Sequence, residues 1–316
     1  MLSGKSVAVV VPCHNEEALV GRVIESMPDF VDRILVVDDN SGDNTAEVVR
    51  GYVASQPGRI RLIRHEVNEG VGGAIASGYK AALGDRMDVA AVMAGDAQMD
   101  PGDLESIVAP VAAGLCDYAK GNRLSSGEAW ETIPRVRYLG NAVLSLLTKI
   151  ASGYWHVADS QSGYTAIGRR ALEGIDWDRM YKGYGQPNDL LVRLNIGDFR
   201  VRDVPIRPVY GVGETSGVRP LRMIPQLSFL ILRLFFYRMT RKYVIKDFHP
   251  LVFFYAFGLI LFPAGTLFGL YLVLYRVLSG PIAGTSAMFA GFLTVTGLQL
   301  LLFAMLFDME ANRHLK

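Results

Sequence analysis

Residues 33–54 read RILVVDDNSGDNTAEVVRGYVA. An apolar, β-branched run stops abruptly in an acidic turn and resumes as a helical pattern from Asp43 to Ala54. The first part predicts a buried strand and the second an amphipathic helix. The same unit recurs on both sides. Upstream, SVAVVVP (6–12) predicts a strand and Glu16 to Met27 a helix; downstream come RIRLIRH (59–65), a small-residue helix from Gly70 to Leu83, and DVAAVMA (88–94). Regular strand–helix alternation predicts a mainly parallel α/β sheet, in which ligands bind beyond the carboxyl ends of the strands.

Chemistry is therefore sought where strands end. The first ends in Pro12-Cys13-His14-Asn15-Glu16, the second in Asp38-Asp39-Asn40-Ser41-Gly42-Asp43, and the fourth in Gly95-Asp96-Ala97-Gln98-Met99-Asp100-Pro101. Three acidic strand ends in one crevice would repel a bare diphosphate, so they point to a nucleotide held with a divalent cation. Each cluster alone has a plainer reading. Asp39, Asn40 and Ser41 suit a turn, Asp43 suits a helix cap, and Asp100-Pro101 suits a helix start. Capping does not readily account for all three together. The first strand is followed by PCHNEE rather than GxGxxG, which sets aside a dinucleotide-binding dehydrogenase. Gly70-Val71-Gly72-Gly73 comes after the third strand and reads as close helix–sheet packing; no GxxxxGK[ST] is present.

The chain has 316 residues, half of them hydrophobic, which is enough for about two domains and excludes a disordered chain. Its net charge of +1 conceals a split. Residues 1–216 carry 22 Lys+Arg against 28 Asp+Glu, while residues 217–316 carry 10 against 3. The basic excess lies in the most apolar third, so no nucleic-acid partner is expected. Cys13 and Cys116 are the only cysteines, far apart, which excludes a disulfide scaffold or a zinc site and fits a reducing cytosol.

Leu251 to Tyr275 and Ile282 to Phe307 contain no charged residue. Each is long enough as a helix to cross a hydrocarbon core of about 30 Å. Arg233, Arg238, Arg241, Lys242 and Lys246 precede the first stretch, Arg313 and Lys316 follow the second, and the connection holds only Arg276. The positive-inside rule then predicts a multi-pass protein of the cytoplasmic membrane with both termini in the cytoplasm. No apolar signal-peptide region opens the chain. Between the soluble part and the spans, Leu227, Leu230, Ile231, Leu234 and Phe235 recur at helical steps among Arg and Lys. They predict one or two amphipathic helices on the inner leaflet, or a helix packed under the soluble domain. The expected organisation is a catalytic domain over 1–216, juxtamembrane helices over 217–249 and a transmembrane hairpin over 250–316.

The ordered motifs PxxNEE, VVDDxSxDxT, NxGxGxA and GDAQMDP resemble the family 2 glycosyltransferases of GT-A fold. The nearer resemblance is to the dolichol-phosphate mannose synthase-like branch, which includes bacterial polyisoprenyl-phosphate glycosyltransferases with a C-terminal hairpin. It runs through most of residues 6–216 and on to the hairpin. The resemblance implies that Pro12, His14, Asn15 and Glu16 line base and ribose, and that Asp39, with Asp38 beside it, reads the base. It implies that Asp96 and Gln98 hold Mg2+ or Mn2+ and the diphosphate. Ala94 stands where the first carboxylate of the D-x-D element is expected, leaving Asp96 and Gln98, with Asp100 near, to serve the metal. Arg123 in Gly121-Asn122-Arg123, together with Arg135 and Arg137, matches the arginines that meet the acceptor phosphate. Asp159 and Ser162 fall in the D-x-x-S-G-[FY] element at the reacting centre, and Asp189 stands where a Glu is usual. Arg207 follows the V-P-I strand; the arginine usually found beyond it has no clear counterpart, and Arg207 or Arg219 would substitute.

The implied reaction moves a hexose from a UDP- or GDP-linked sugar to a polyprenyl phosphate, inverting the anomeric carbon, for envelope glycans or glycoprotein modification. The acceptor phosphate is already anionic, so Asp159 is left open as a base or an orienting group. The membrane is an expected partner, and the resemblance favours a homo-oligomer. Two rivals stand beside this reading. A processive polysaccharide synthase would need Q-x-x-R-W, which is missing. A degenerate scaffold or flippase-associated subunit would suit Ala94 but not the retained Asp39, Asp96, Gln98 and Arg123.

Overall fold

The computed structural model describes residues 1–124, 135–207 and 220–316, without the side chains of 135–139, 141 and 220–224. Two compact units result: Met1–Phe235 with His314–Lys316, and Phe236–Arg313.

The first unit is built on a sheet of seven described strands: β1 (Val7–Cys13), β2 (Arg33–Asp38), β3 (Ile60–Arg64), β4 (Val89–Val92), β5 (Tyr118–Asn122), β6 (Thr165–Gly168) and β7 (Val201–Pro205). Their order is β3-β2-β1-β4-β6-β5-β7. All pairings are parallel except the two that β6 makes with β4 and β5. The carboxyl ends of β1, β2, β4 and β5 therefore open on one edge of the sheet. Because β6 runs the other way, the chain entering it arrives at that same edge.

β1 is central and fully buried, as its unbroken apolar run demands. Val7, Val9, Val11 and Cys13 face one core, shared with α1 (Val20–Glu25), α2 (Thr45–Ser55) and α4 (Leu104–Ala112). Ala8 and Val10 face the other, shared with α3 (Val71–Gly84), α6 (Arg169–Gly174) and α7 (Gln186–Ile196). Each fully buried Val or Leu contributes about 1.5–3 kcal/mol, so this two-sided burial is what fixes strand register. Two further helices belong to the chain order, α5 (Arg135–Ser152) and α8 (Pro220–Thr240).

Two expectations change in detail. The helix expected from Glu16 is regular only from Val20: a single turn precedes it, closed by the Val20 amide on Glu16 O, and the amides of Glu16 and Glu17, which lack a partner at a helix start, donate to Thr45 Oγ1 and Asp43 Oδ2. The glycines at the start of α3 do not approach the sheet. A Cβ on Gly72 would lie 2.2 Å from Tyr181 O, whereas it is Gly78 that admits Val10 of β1.

The second unit holds α9 (Leu251–Leu278) and α10 (Gly284–Ala311). A Cβ on Gly265 would lie 2.5 Å from Thr294 N, and one on Gly297 2.2 Å from Phe262 N, so the backbones pack through small residues as membrane helices do. Val277, Leu278, Met288 and Phe292 are among many large apolar side chains turned outward. Such a surface associates with a membrane. Near the end of α10 a polar cluster is buried. Asp308 receives Arg238 Nη1 at 2.7 Å, Nη2 at 2.9 Å and the Tyr243 hydroxyl at 2.7 Å, while Lys242 donates to Asn312.

Candidate active site

The ends of β1 and β2 are laced together by side chains. Asn15 Oδ1 accepts the Gly42 amide, the Asn15 amide reaches Ser41 Oγ, and the Ser41 amide reaches Asp38 Oδ1. Register pairs Cys13 with Asp38, so the two loops leave the sheet level with each other. The Gly95 amide continues the β4 ladder to Pro12 O, which carries Asp96 alongside this pair. Asn15, Asn40 and Ala97 all adopt positive φ, of 60°, 56° and 57°. Asn tolerates that region and Ala does so at a cost of about 1–2 kcal/mol, so the fold holds the Asp96-Ala97-Gln98 turn under strain.

Asp39 is nearly buried, and its carboxylate is fully engaged. Oδ1 accepts the Glu69 amide at 2.8 Å and His65 Nδ1 at 2.7 Å, and Oδ2 accepts the Gly70 amide at 2.7 Å. Because an ionised carboxylate only accepts, His65 carries its proton on Nδ1; its Nε2 meets Ser77 Oγ at 2.9 Å. His14 Nδ1 lies 2.9 Å from Asp39 O and 3.1 Å from Asn68 Nδ2. Asp38 is buried behind, 3.3 Å from Arg64 Nε.

Asp96 Oδ1 accepts the Gln98 amide at 3.1 Å. Burial, then the charges of Asp96 and Asp43, raise the Glu16 carboxyl above its ordinary range. Two carboxylates thus repel each other at the ends of β1 and β4, an arrangement that a cation relieves. Among the described residues no group of three or more His, Cys, Asp and Glu is arranged as a metal cage. This donor set suits an ion that takes most of its ligands from a diphosphate and water. Asp100 accepts the Gly102 amide and starts a helical turn, the plainer of its two readings.

On the other side of β4, Arg123 leaves the end of β5 and grips Asp159, which arrives just before β6. Nε lies 2.8 Å from Oδ2 and Nη2 3.2 Å from Oδ1. Asp159 is fully buried, while Arg123 remains partly exposed. Burial works to raise the Asp159 pKa, but the Arg123 guanidinium, with Lys120 behind it, holds the carboxyl below its ordinary value. Lys120 is itself fully buried and donates to Ser162 O. Burial lowers its pKa to about 8, against the pull of Asp159 and Asp203. Asp203 is pushed up to about 6 by burial, opposed by the Ala158 amide and Lys120.

The remaining expected residues are more dispersed. Ser162 is buried, and its Oγ takes the Tyr164 amide at 3.4 Å. Asp189 lies behind the α3 entrance, where it accepts the Tyr181 amide and Arg193 Nε. Arg207 follows β7 with its amide on Asp103 Oδ2. The side chains of Arg135 and Arg137 lie outside the described residues, as does Arg219. Sequence reasoning missed His65, Asn68, Lys120 and Asp203. His65 ends the third predicted strand, so the strand-end rule that singled out Asp39 would have found it. Lys120 shares one face of β5 with Tyr118 and Asn122, a charge at a buried strand position.

Residues 8–175 match glycosyl transferase family 2. Curated relatives agree. A UDP-N-acetylglucosamine–dolichyl-phosphate N-acetylglucosaminyltransferase of Methanococcus voltae is 28% identical over 66% of this chain and 88% of that protein. A polyprenol monophosphomannose synthase of Mycolicibacterium smegmatis is 30% identical over 66% and 80%. An undecaprenyl-phosphate mannosyltransferase of Micrococcus luteus is 29% identical over 63% and 82%. Among solved structures, glucosyl-3-phosphoglycerate synthase from Mycobacterium tuberculosis, in complex with Mn2+, uridine diphosphate and phosphoglyceric acid, shares the fold. Its TM-score is 0.55 at 21% identity, covering 75% of this chain and 79% of that one.

Proposed function

The chain belongs to glycosyl transferase family 2, and we propose that this glycosyltransferase of GT-A fold moves a hexose from a nucleotide-diphosphate sugar to a polyprenyl phosphate. The observation that carries the reading is the Arg123–Asp159 fork, held at the same sheet edge as Asp39 and Asp96 in a chain with two membrane-length helices. The names of the curated relatives, with their dolichyl, polyprenol and undecaprenyl phosphates, support it.

In this reading Pro12 to Glu16, Asp38 and Asp39 form the nucleotide end, with His65 and Asn68 fixing Asp39 and His14. Arg123 receives the acceptor phosphate, since a planar guanidinium binds phosphate oxygens in a two-point fork. Asp159 orients Arg123: fully buried and already bonded, it is a positioning group and not a base. Arg135, Arg137, Ser162 and Arg207 belong to the acceptor end, and Asp189 braces the segment beside the α3 entrance. An acceptor phosphate oxygen attacks the anomeric carbon as the bond to the nucleotide diphosphate breaks. This yields an inverted polyprenyl-phosphate sugar and free nucleotide diphosphate. No proton need be removed, so catalysis rests on positioning and charge stabilisation. Asp96 and Gln98 would hold Mg2+ or Mn2+, which supplies positive charge against the departing diphosphate. The basic flanks of the spans support a multi-pass arrangement with the catalytic unit and both termini in the cytoplasm.

The test is incubation of the purified full chain in detergent with Mg2+ or Mn2+, undecaprenyl phosphate and a panel of radiolabelled UDP- and GDP-sugars. Label from one donor should enter the organic phase, and Asp96→Ala should abolish the transfer. Donor binding without any lipid labelling would count against the reading.

A further inference from the structure

Helix α5 is built with its polarity reversed. The side it turns inward is mostly polar: Ser145, Thr148 and Ser152 are buried, with the small Ala151 beside them. Ser145 Oγ lies 3.2 Å from both the hydroxyl and the amide of Ser160, and Thr148 Oγ1 donates to Asn188 Oδ1 at 2.8 Å. The side it turns outward is apolar. Val143 and Leu146 are each 52% exposed and Leu147 37%, at the three- and four-residue steps that make one stripe. A helix facing only water has the opposite arrangement. All 18 residues of α5 lack an acidic group, while Arg135 and Arg137 open the helix and Lys149 stands in its last turn.

The support beneath α5 shows which way that stripe faces. Thr148 rests on Asn188 of α7, and Leu230 and Leu234 of α8 rest on Val192 of α7. A Cβ on Gly185, just before α7, would run into Leu230. Positions 185, 188, 192 and 196 lie along one face of a helix. The two helices are therefore neighbours on one face of α7, and both turn their outer sides away from it. On α8 that outer side carries Phe229, 69% exposed, and Leu232, 53% exposed.

We propose that α5 and α8 together form a bilayer-contacting surface, with the Val143–Leu146–Leu147 stripe lying among the acyl chains of an anionic membrane. Exposed apolar area flanked by positive charge and free of acidic groups is what such a surface binds. A chain that carries its own membrane-length helices meets the bilayer at high effective concentration, so each contact need be only modest. One consequence rests on the function proposed above. The same helix holds Ser160, next to Asp159, so the fork that receives the acceptor phosphate is braced by the helix that touches the lipid in which that acceptor is dissolved.

The test uses the full chain reconstituted into phosphatidylglycerol-containing liposomes, with a bimane label at Leu146→Cys or Val143→Cys. Cys13 and Cys116 are buried, so the introduced thiol takes the label. Lipids brominated in their acyl chains should quench either label at least twofold, as they quench one at Phe292→Cys on α10, and should spare one at Glu105→Cys on α4. If both α5 labels behave like the one at Glu105 while the Phe292 label is quenched, the proposal is overturned. Disulfide cross-linking between copies at Leu146→Cys, with no lipid quenching, would assign the face to a second copy and overturn it too. Because quenching needs no sugar transfer, its failure is separable from failure of the functional reading.

Discussion

Arg123 and Asp159 form a two-point fork, Nε to Oδ2 at 2.8 Å and Nη2 to Oδ1 at 3.2 Å, with the Arg123 amide closing a third contact to Oδ2. The carboxylate is buried and the guanidinium is not, so the pair aims a cation outward from a fixed base. Asp159→Asn keeps the shape but replaces one accepting oxygen with a donor facing a donor. The expected result is a fall of about 100-fold in kcat/KM for polyprenyl phosphate, roughly 2.7 kcal/mol. Nucleotide affinity by calorimetry should stay within about twofold. An equal loss at both ends would contradict the positioning role.

In the proposed site, the nucleotide end depends on His65, which meets Asp39 Oδ1 at 2.7 Å. Removing its ring donor in His65→Phe leaves Asp39 with two backbone amides and frees the carboxylate to turn. Binding of UDP or GDP, whichever the donor panel selects, should weaken about 3–10-fold, in line with the net worth of about 0.5–1.5 kcal/mol of one hydrogen bond. The KM for the lipid acceptor should not move. Unchanged nucleotide binding would show that Asp39 needs no such support.

Asp203 predicts a pH signature. Its carboxyl sits at about 6 in the fold, against about 3.9 in an unfolded chain. The folded state therefore binds this proton more tightly. The contribution favours folding while pH is below about 4 and disappears as pH rises to about 6, a loss of roughly 3 kcal/mol. Lys120, lowered to about 8, has the opposite sense: its contribution is present above the unfolded value near 10.4 and is lost as pH falls through about 8. Thermal unfolding of wild type and Asp203→Asn in detergent between pH 4 and 7 isolates the first effect. Wild type should lose stability relative to the variant as pH rises through that window; a constant difference would contradict it.

In the membrane unit, Asp308→Leu strands the buried Arg238 without its carboxylate. The expected destabilisation is about 3–5 kcal/mol, while Arg238→Met with Asp308→Leu should recover most of it, because two apolar groups leave no unpaired charge. Unfolding of the full chain in detergent reads both. A single variant as stable as wild type would show that the pair contributes little.

How legible each feature was follows from the range of the interactions that make it. β1 and β2 are readable because burial on both faces forces unbroken apolar runs, and the acidic turns after them are readable because a parallel sheet puts function at strand ends. β6 is four residues with no run, and its antiparallel direction is set by partners far away in sequence. Lys120 and Asp203 lie 83 positions apart, and nothing local to either shows that burial brings them together. The entry to α1 depends on Thr45 and Asp43 of the β2–α2 connection, which accept the amides of Glu16 and Glu17, and nothing local to residues 16–19 shows that contact. The apolar stripe of α5 resembles a core face by its spacing, and only the structure shows it turned outward.

The central claim is that the acceptor is a lipid phosphate received by Arg123. It is tested most directly by comparing acceptors with a single donor: polyprenyl phosphate, the same polyprenol without its phosphate, and soluble phosphoglyceric acid. Release of nucleotide diphosphate should accompany polyprenyl phosphate alone and fall steeply in Arg123→Gln. Equal turnover with the unphosphorylated polyprenol, or with phosphoglyceric acid in the absence of lipid, would contradict it.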